Sequence, residues 1–154
     1  MSIDRLTRLF FDASCLIAAA GSPNGGSGFL LSVCARGFLK AVVSQPVLLE
    51  AERNIMEKLP RAVARYQELL ISGVFEVVPV PDTLQRRVYR GLINEKDEHV
   101  LAAAVGTRAP FLITLDQPLI AEVARASLSL QACTPGTFIT QNLVLHSDYP
   151  RMRE

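Results

Sequence analysis

Residues 8–20 read RLFFDASCLIAAA, and this stretch decides the fold of the chain. An apolar run ends at Asp12, and a second apolar run with helical character follows it. The same pattern returns at residues 111–124, FLITLDQPLIAEVA, where the first run ends at Asp116. A strand buried on both faces reads as a continuous apolar run, so both stretches predict a buried strand followed by a helix.

The rest of the chain alternates in the same way. Further strands are predicted at residues 39–44 and 74–80, with a weak one at 128–133, and helices at 29–37, 46–59, 61–73, 83–93, 97–107 and 117–126. The glycine-rich stretch 21–28, GSPNGGSG, is expected to be a loop. Alternating strands and helices predict a three-layer α/β/α domain with a parallel sheet. Ligands of such sheets bind outside the carboxyl ends of the strands, where Asp12 and Asp116 fall.

Length and composition describe an ordinary globular protein. The chain has 154 residues, of which 49% are apolar and 20% charged, which is enough for one domain with a substantial core. We expect a single domain over residues 1–145 and a polar tail over residues 146–154. The net charge is +1, so a nucleic-acid partner would need a local basic patch.

Three cysteines, Cys15, Cys34 and Cys133, stand in apolar contexts without metal-binding spacing. They predict reduced, buried thiols, as in cytoplasmic proteins. Asp12 interrupts the first apolar run, which argues against a signal peptide. No apolar stretch approaches the roughly 18 to 20 residues that cross a bilayer. We therefore expect a cytoplasmic protein without a membrane partner.

Four acidic residues are candidates for a shared site. Asp12 and Asp116 end predicted strands, although each can also act as a helix N-cap. Asp97 lies on the apolar, inward-facing stripe of its helix, and the alternative is a solvated first-turn acid. Glu50 falls early in the helix after the second strand, and its alternative is a solvated surface side chain. Glu98 points away from the apolar stripe and is expected to be solvated.

Carboxylates that meet at one sheet edge repel one another unless a cation lies between them. An all-oxygen ligand set selects Mg²⁺ or Mn²⁺, which can activate water for phosphoryl chemistry. The hydroxyls of Ser14 and Thr114 are expected to hold a neighbouring carboxylate or a water. The two histidines, His99 and His146, lack the spacing of a metal site, and His99 is expected at the surface or beside the ligands.

An acidic cleft repels a polyanion unless basic groups flank it. The candidates for substrate contacts are Arg86, Arg87, Arg90 and Lys96, which lead into Asp97, and Arg53, which lies near Glu50 in the sequence. The alternative is an exposed, charged helix face.

Four motifs, in order and spacing, resemble the PIN-domain nucleases: FDASCLIAA (11–19), SQPVLLEAE (44–52), KDEHVLAAA (96–104) and LITLDQPL (112–119). The chain looks most like the VapC-type toxins of type II toxin–antitoxin modules, and TPGTFI (134–139) is similar to the closing segment of many of those domains. The resemblance implies a parallel five-stranded sheet in the order 3-2-1-4-5. It also implies an acidic quartet, which falls by position on Asp12, Glu50, Asp97 and Asp116, with accompanying hydroxyls on Ser14 and Thr114.

The activity implied by this resemblance is Mg²⁺- or Mn²⁺-dependent cleavage of RNA by a metal-activated water. The implied partners are an RNA substrate, an antitoxin protein and a second copy of the chain in a homodimer. Three alternatives stay open: a solitary RNA-processing nuclease, a non-catalytic α/β domain, and a phosphoacceptor or aspartate-nucleophile domain. Against the last, Ser14 stands where a D-x-D motif has its second acid, and residues 128–136 contain no lysine.

Overall fold

Five parallel strands form one sheet at the centre of the computed structural model, which describes residues 2–152. The strands lie in the order β3-β2-β1-β4-β5, and every neighbouring pair is parallel. The predicted sheet and its strand order are therefore confirmed. The strands are β1 (Arg8–Phe11), β2 (Lys40–Ser44), β3 (Phe75–Val78), β4 (Phe111–Ile113) and β5 (Gln131–Cys133).

Helices connect the strands and cover both faces of the sheet. Within residues 2–152 they are α1 (Ala13–Gly21), α2 (Gly26–Ala35), α3 (Gln45–Lys58), α4 (Val63–Ile71), α5 (Thr83–Arg87), α6 (Glu98–Gly106), α7 (Gln117–Ala126), α8 (Pro135–Thr137) and α9 (Tyr149–Met152). Short 3₁₀ turns occupy Pro60–Ala62, Glu95–Asp97 and Leu143–Leu145, and a π turn occupies Phe138–Asn142. None of the helices described here has the length and apolar character that crossing a bilayer requires.

The central strands β1 and β4 are buried along nearly their whole length. Phe10, Phe11, Leu112 and Ile113 have no exposed surface, as expected for strands covered by helices on both sides. Strand β3 lies at one edge of the sheet, and its two middle residues are exposed. The three cysteines are free and buried, as predicted, and burial raises the pKa of the Cys15 thiol to about 12. The sheet thus provides a rigid base for groups at its carboxyl edge.

The glycine-rich stretch is shorter as a loop than predicted. Helix α2 begins at Gly26, and Ser27 is already buried, so the loop is reduced to residues 22–25. A Cβ placed on Gly28 would lie 2.1 Å from the carbonyl oxygen of Pro23. The glycine therefore allows the first turn of α2 to pack directly against the loop, which the composition alone did not indicate.

The predicted helix over residues 83–93 is also shorter than expected. Asp82 and Gln85 form a capping box that starts α5, but the helix ends at Arg87. Gly91 adopts a φ of +83°, a left-handed conformation that interrupts a right-handed helix. The chain then reaches Asp97 through turns, so helical periodicity does not extend from α5 to the acid.

The described part of the predicted tail packs against the domain. The buried His146 accepts a hydrogen bond from Asp148 N–H at Nδ1 (2.9 Å), so its Nε2–H donates to the carbonyl of Phe38 at 2.6 Å. Arg36 donates to the carbonyls of Arg151 and Met152. The boundary at residue 145 stays a prediction, and residues 1, 153 and 154 lie outside the described residues.

Candidate active site

Polar residues end three neighbouring strands of the sheet. Phe10 pairs with Val42 of β2, and Phe11 with Ile113 of β4. The residue that follows β1, Asp12, is therefore flanked by Ser44 at the end of β2 and Thr114 after β4. Both flanking residues are fully buried. These three positions define the carboxyl edge at which we describe the site.

The carboxylate of Asp12 is buried and held by several donors. Its Oδ2 accepts hydrogen bonds from the hydroxyls of Thr114 (2.7 Å) and Ser14 (3.3 Å), and its Oδ1 accepts one from Ala13 N–H (2.9 Å). Only 8% of the residue is exposed. Hydrogen bonds to both oxygens fix the orientation of this carboxylate at the start of α1, where it is also the N-cap.

The two hydroxyls connect the ends of β1 and β4. Ser14 Oγ accepts a hydrogen bond from Leu115 N–H (3.1 Å) and lies 3.4 Å from Thr114 Oγ1. Thr114 Oγ1 accepts in turn from Asp116 N–H at 3.1 Å. Through these bonds, Ser14 and Thr114 connect the backbone N–H groups of Leu115 and Asp116 to the side chain of Asp12.

Asp116 combines helix capping with a position in the site. Its Oδ1 accepts a hydrogen bond from Leu119 N–H (3.1 Å), which caps α7, and its Oδ2 lies 3.8 Å from Lys96 Nζ. One carboxylate oxygen thus stabilises the helix, and the other faces the cation that immediately precedes Asp97. The two interpretations considered for this residue are compatible.

Asp97 is buried at the start of α6 and has a perturbed pKa. Burial is the largest cause and raises the pKa of Asp97 to about 6. The adjacent Lys96 lowers this pKa, whereas the carboxylates of Asp12, Asp116 and Glu122 raise it further. Since charges must be close to act in this way, Asp97 shares one electrostatic environment with the two strand-end aspartates.

Two further acids that the sequence analysis considered, Glu50 and Glu98, differ in exposure. Glu50 is exposed on α3. Its charge raises the pKa of His99, and Glu50 is not among the groups that shift the pKa of Asp97. Glu98 was expected to be solvated, but it is only 6% exposed. The prediction for Glu98 was wrong because six of the nine residues of α6 are buried, so a position off the apolar stripe is not solvated by default.

Two further residues belong to this region: Glu122, which the sequence did not single out, and His99, which was expected at the surface or beside the ligands. Glu122 acts on Asp97, and its carboxylate accepts a hydrogen bond from Asn94 N–H at 2.6 Å. His99 is half-buried, and its Nδ1 is buried without a hydrogen-bond partner in the described chain. Burial lowers the pKa of His99, with Glu50 and Asp12 acting in the opposite direction. Glu122 stands outside the four motifs, so only proximity in the fold reveals it, whereas His99 lies within KDEHVLAAA (96–104).

A polar groove of about 640 Å³ lies beside the acids. Three of the predicted substrate contacts line it: Arg86, Arg90 and Lys96. Another predicted contact, Arg87, is the last residue of α5; it is exposed and outside the groove lining. Basic side chains thus stand next to the acidic edge, as an anionic substrate would require.

The chemistry of the acidic side chains suits a hard divalent cation. Asp12, Asp97 and Asp116 offer carboxylate oxygens, the donors that Mg²⁺ and Mn²⁺ prefer. Within residues 2–152, no three His, Cys, Asp or Glu side chains form a ready-made metal site. This arrangement fits an ion held by one or two carboxylates and several waters, the usual mode for Mg²⁺.

A family model described as "PIN domain" matches residues 8–118. The chain belongs to the PIN-domain family. The match includes Asp12, Glu50, Asp97 and Asp116, and it places the chain among nucleases that generally use divalent metal ions. A search of the curated proteins finds no significant match.

Solved structures share the fold of this PIN domain. PAE2754 from Pyrobaculum aerophilum is 19% identical with a TM-score of 0.63, over 88% of this chain and 94% of that one. VapC20 of Mycobacterium tuberculosis, described as a sarcin–ricin loop cleaving toxin, is 16% identical with a TM-score of 0.57 (78% and 95% covered). VapBC2 of Rickettsia felis, bound to a DNA fragment from its promoter, is 14% identical with a TM-score of 0.59 (83% and 98% covered).

Proposed function

We propose that this PIN domain is a metal-dependent endoribonuclease and the toxin of a toxin–antitoxin pair. One observation carries the proposal: the buried Asp97, whose pKa is raised to about 6, shares its environment with Asp12 and Asp116 at the carboxyl edge of the sheet. An arrangement of buried, mutually repelling carboxylates is unfavourable in itself, and a divalent cation relieves the repulsion.

Asp12, Asp97 and Asp116 would hold Mg²⁺ or Mn²⁺, with Glu50 at the exposed side of the site. When bound, such an ion supplies an activated water at neutral pH and neutralises charge that develops on a phosphoryl group. Thr114 and Ser14 orient the Asp12 carboxylate through the hydrogen bonds described above. Lys96 offsets the negative charge of Asp116 from 3.8 Å and moderates the repulsion at Asp97.

The substrate is proposed to be RNA, a polyanion that basic groups must attract to an acidic edge. Arg90 and Lys96, which line the groove beside the acids, are the proposed contacts. Arg87 ends α5 outside that lining and is not assigned a contact. The fold shared with VapC20 and with VapBC2 supports a toxin role and an antitoxin partner. A homodimer and a cytoplasmic location complete the proposal, and light scattering of the purified protein tests the homodimer.

The test incubates purified protein with structured RNA in EDTA, Mg²⁺ or Mn²⁺. Asp12→Asn, Asp97→Asn and Glu50→Gln are assayed beside Glu52→Gln, an exposed glutamate on the same helix as Glu50. We expect cleavage only with metal, loss of cleavage in both aspartate variants, and normal cleavage by Glu52→Gln. Circular dichroism checks that each variant is folded. An intact RNA with folded wild-type protein in both metals contradicts the nuclease proposal.

Induced expression in a bacterial host tests the toxin role separately. We expect growth arrest by the wild type and normal growth with Asp97→Asn produced at the same level. A wild-type protein that cleaves RNA in vitro and leaves growth unchanged would favour the solitary RNA-processing nuclease instead.

A further inference from the structure

Several residues that line the groove beside the acids have no role in the proposed chemistry. The lining is formed by residues of α5, by the turns that follow α5, and by the start of α6. Its charged residues are Arg86, Arg90, Lys96, Glu95 and Glu98, and its uncharged polar residues are Thr83, Asn94 and His99. The groove holds about 640 Å³, which is sufficient for part of a nucleotide chain.

Two nitrogen atoms of this lining are buried without a hydrogen-bond partner in the described chain: Arg86 Nε and His99 Nδ1. The Nε–H group of arginine is a donor only, so it requires an acceptor from outside these residues. Buried polar groups are paired in the great majority of proteins. Arg86 is also held from the other side, since its Nη2 lies 3.5 Å from Thr83 Oγ1. The guanidinium is therefore positioned but not satisfied.

The charge of the lining indicates what the groove accommodates. Arg86, Arg90 and Lys96 carry three positive charges, and Glu95 and Glu98 carry two negative ones, which leaves a net charge of +1. One phosphodiester group neutralises this charge. Lys96 also lies 3.8 Å from Asp116, so the groove is continuous with the acidic edge.

We propose that this groove is a phosphodiester subsite that binds the RNA strand next to the cleaved bond. Arg86 and Arg90 hold one phosphate of the strand, and His99 donates a further hydrogen bond from Nδ1. The inference rests on the proposed ribonuclease function, and it assigns Arg86 and Arg90 to one phosphate beside the cleaved bond. It also separates the groove arginines from Arg87, which is equally charged but exposed at the end of α5.

The test uses an eight-nucleotide single-stranded RNA taken from a region that the wild type cleaves. Binding is measured by fluorescence anisotropy in EDTA over a series of salt concentrations, and KM and kcat are measured in Mg²⁺. We expect Arg86→Gln and Arg90→Gln to weaken binding about 5- to 10-fold and to reduce the slope of log K against log salt by about 0.7, the value for one lost contact with single-stranded nucleic acid.

Three further variants separate the subsite from general charge effects. Arg87→Gln removes the same charge outside the groove, and its affinity should stay within about twofold of the wild type. Arg86→Lys should keep the salt slope while losing part of the affinity, because lysine lacks the planar fork of donors. His99→Leu should raise KM without changing the salt slope, since a neutral donor is removed.

A neutral methylphosphonate, placed at one phosphate of the RNA at a time, locates the contact. One position should weaken binding to the wild type and have no further effect on Arg86→Gln, because both changes remove the same contact. If the wild type cleaves and binds RNA while Arg86→Gln and Arg90→Gln bind as well as Arg87→Gln, the subsite is wrong and the nuclease proposal stands. A folded wild type that neither binds nor cleaves RNA overturns the proposed function itself.

Discussion

The hydroxyl of Thr114 donates a 2.7 Å hydrogen bond to Asp12 Oδ2, although the two residues lie 102 positions apart in the sequence. The bond crosses the carboxyl ends of β4 and β1, the neighbouring strands at the centre of the sheet. The same hydroxyl accepts from Asp116 N–H. A fully buried threonine therefore fixes the relative positions of two acids in the candidate site.

Thr114→Val tests how much this hydroxyl contributes to the stability of the fold. Valine has nearly the same shape, but it leaves Asp116 N–H without its acceptor and Asp12 Oδ2 without one of its two hydroxyl donors. We expect the free energy of unfolding to fall by about 1–3 kcal/mol, the usual consequence of an unpaired buried polar group. Urea denaturation measures the change, and Thr114→Ser, which keeps the hydroxyl, should lose markedly less. Equal stability of the valine variant and the wild type would contradict the assigned role.

Asp97→Asn should stabilise the metal-free protein in a pH-dependent manner. The pKa of Asp97 rises from its ordinary 3.8 to about 6 in the fold, so the folded state holds a proton that the unfolded state releases. Stability from this group is complete below about pH 4 and is lost as pH rises through 6. Allowing for solvent screening, we expect Asn to raise the free energy of unfolding by about 1–2 kcal/mol at pH 7.

The measurement is urea denaturation in EDTA at several values between pH 4 and pH 7. The stability difference between Asp97→Asn and the wild type should shrink as the pH falls from 7 to 4, because the folded wild-type carboxyl gains its proton below about pH 6 and the unfolded one begins to do so near pH 4. A difference that is independent of pH would show that the substitution acts through packing rather than through charge.

Divalent metal should stabilise the wild type and have little effect on the stability of the Asp97→Asn variant. An ion at 100 times its dissociation constant stabilises the state that binds it by about 2.7 kcal/mol. We expect Mg²⁺ or Mn²⁺ to raise the Tm of the wild type and of Glu52→Gln, and EDTA to reverse the effect. Thermal denaturation followed by circular dichroism measures the shift. A rise in Tm of the same size in Asp97→Asn would place the ion elsewhere.

Gly28→Ala should destabilise the protein through a close backbone contact. An added Cβ would stand 2.1 Å from the Pro23 carbonyl oxygen, which a side-chain rotation cannot relieve. We expect a loss of about 1–3 kcal/mol in the free energy of unfolding, as for other overpacked positions. At Gly26 the nearest atom is 3.6 Å away, so Gly26→Ala should be neutral or slightly stabilising. Similar losses at both positions would contradict this explanation.

Sequence patterns were sufficient where the physical signal is local. The apolar runs at β1 and β4 predicted buried parallel strands, because a strand covered on both faces has no polar period. Asp12 and Asp116 could be placed at the same edge, because the carboxyl ends of parallel strands meet there. The order of the strands followed from the family motifs rather than from the patterns alone.

Sequence patterns failed where a helix was assumed to continue. The stretch from residue 83 to 93 predicted one helix, but α5 ends at Arg87 and Gly91 takes a left-handed conformation. Helical spacing therefore did not predict which arginine side chains point into the groove, and Arg86 rather than Arg87 lines it. The burial of Glu98 was missed for a different reason: α6 is covered on most of its surface, so this polar position is buried as well.

The sequence by itself determined the fold class and which carboxylates follow its buried strands, because burial periodicity and strand direction are properties of local stretches. Only the tertiary structure decided which hydroxyl holds Asp12, which acids act on Asp97, and which arginine faces the groove. The first two relationships join residues far apart in the chain and depend on strand register, and the third depends on where α5 ends. Distances of a few ångströms between such groups arise only when the whole sheet and its helices are packed.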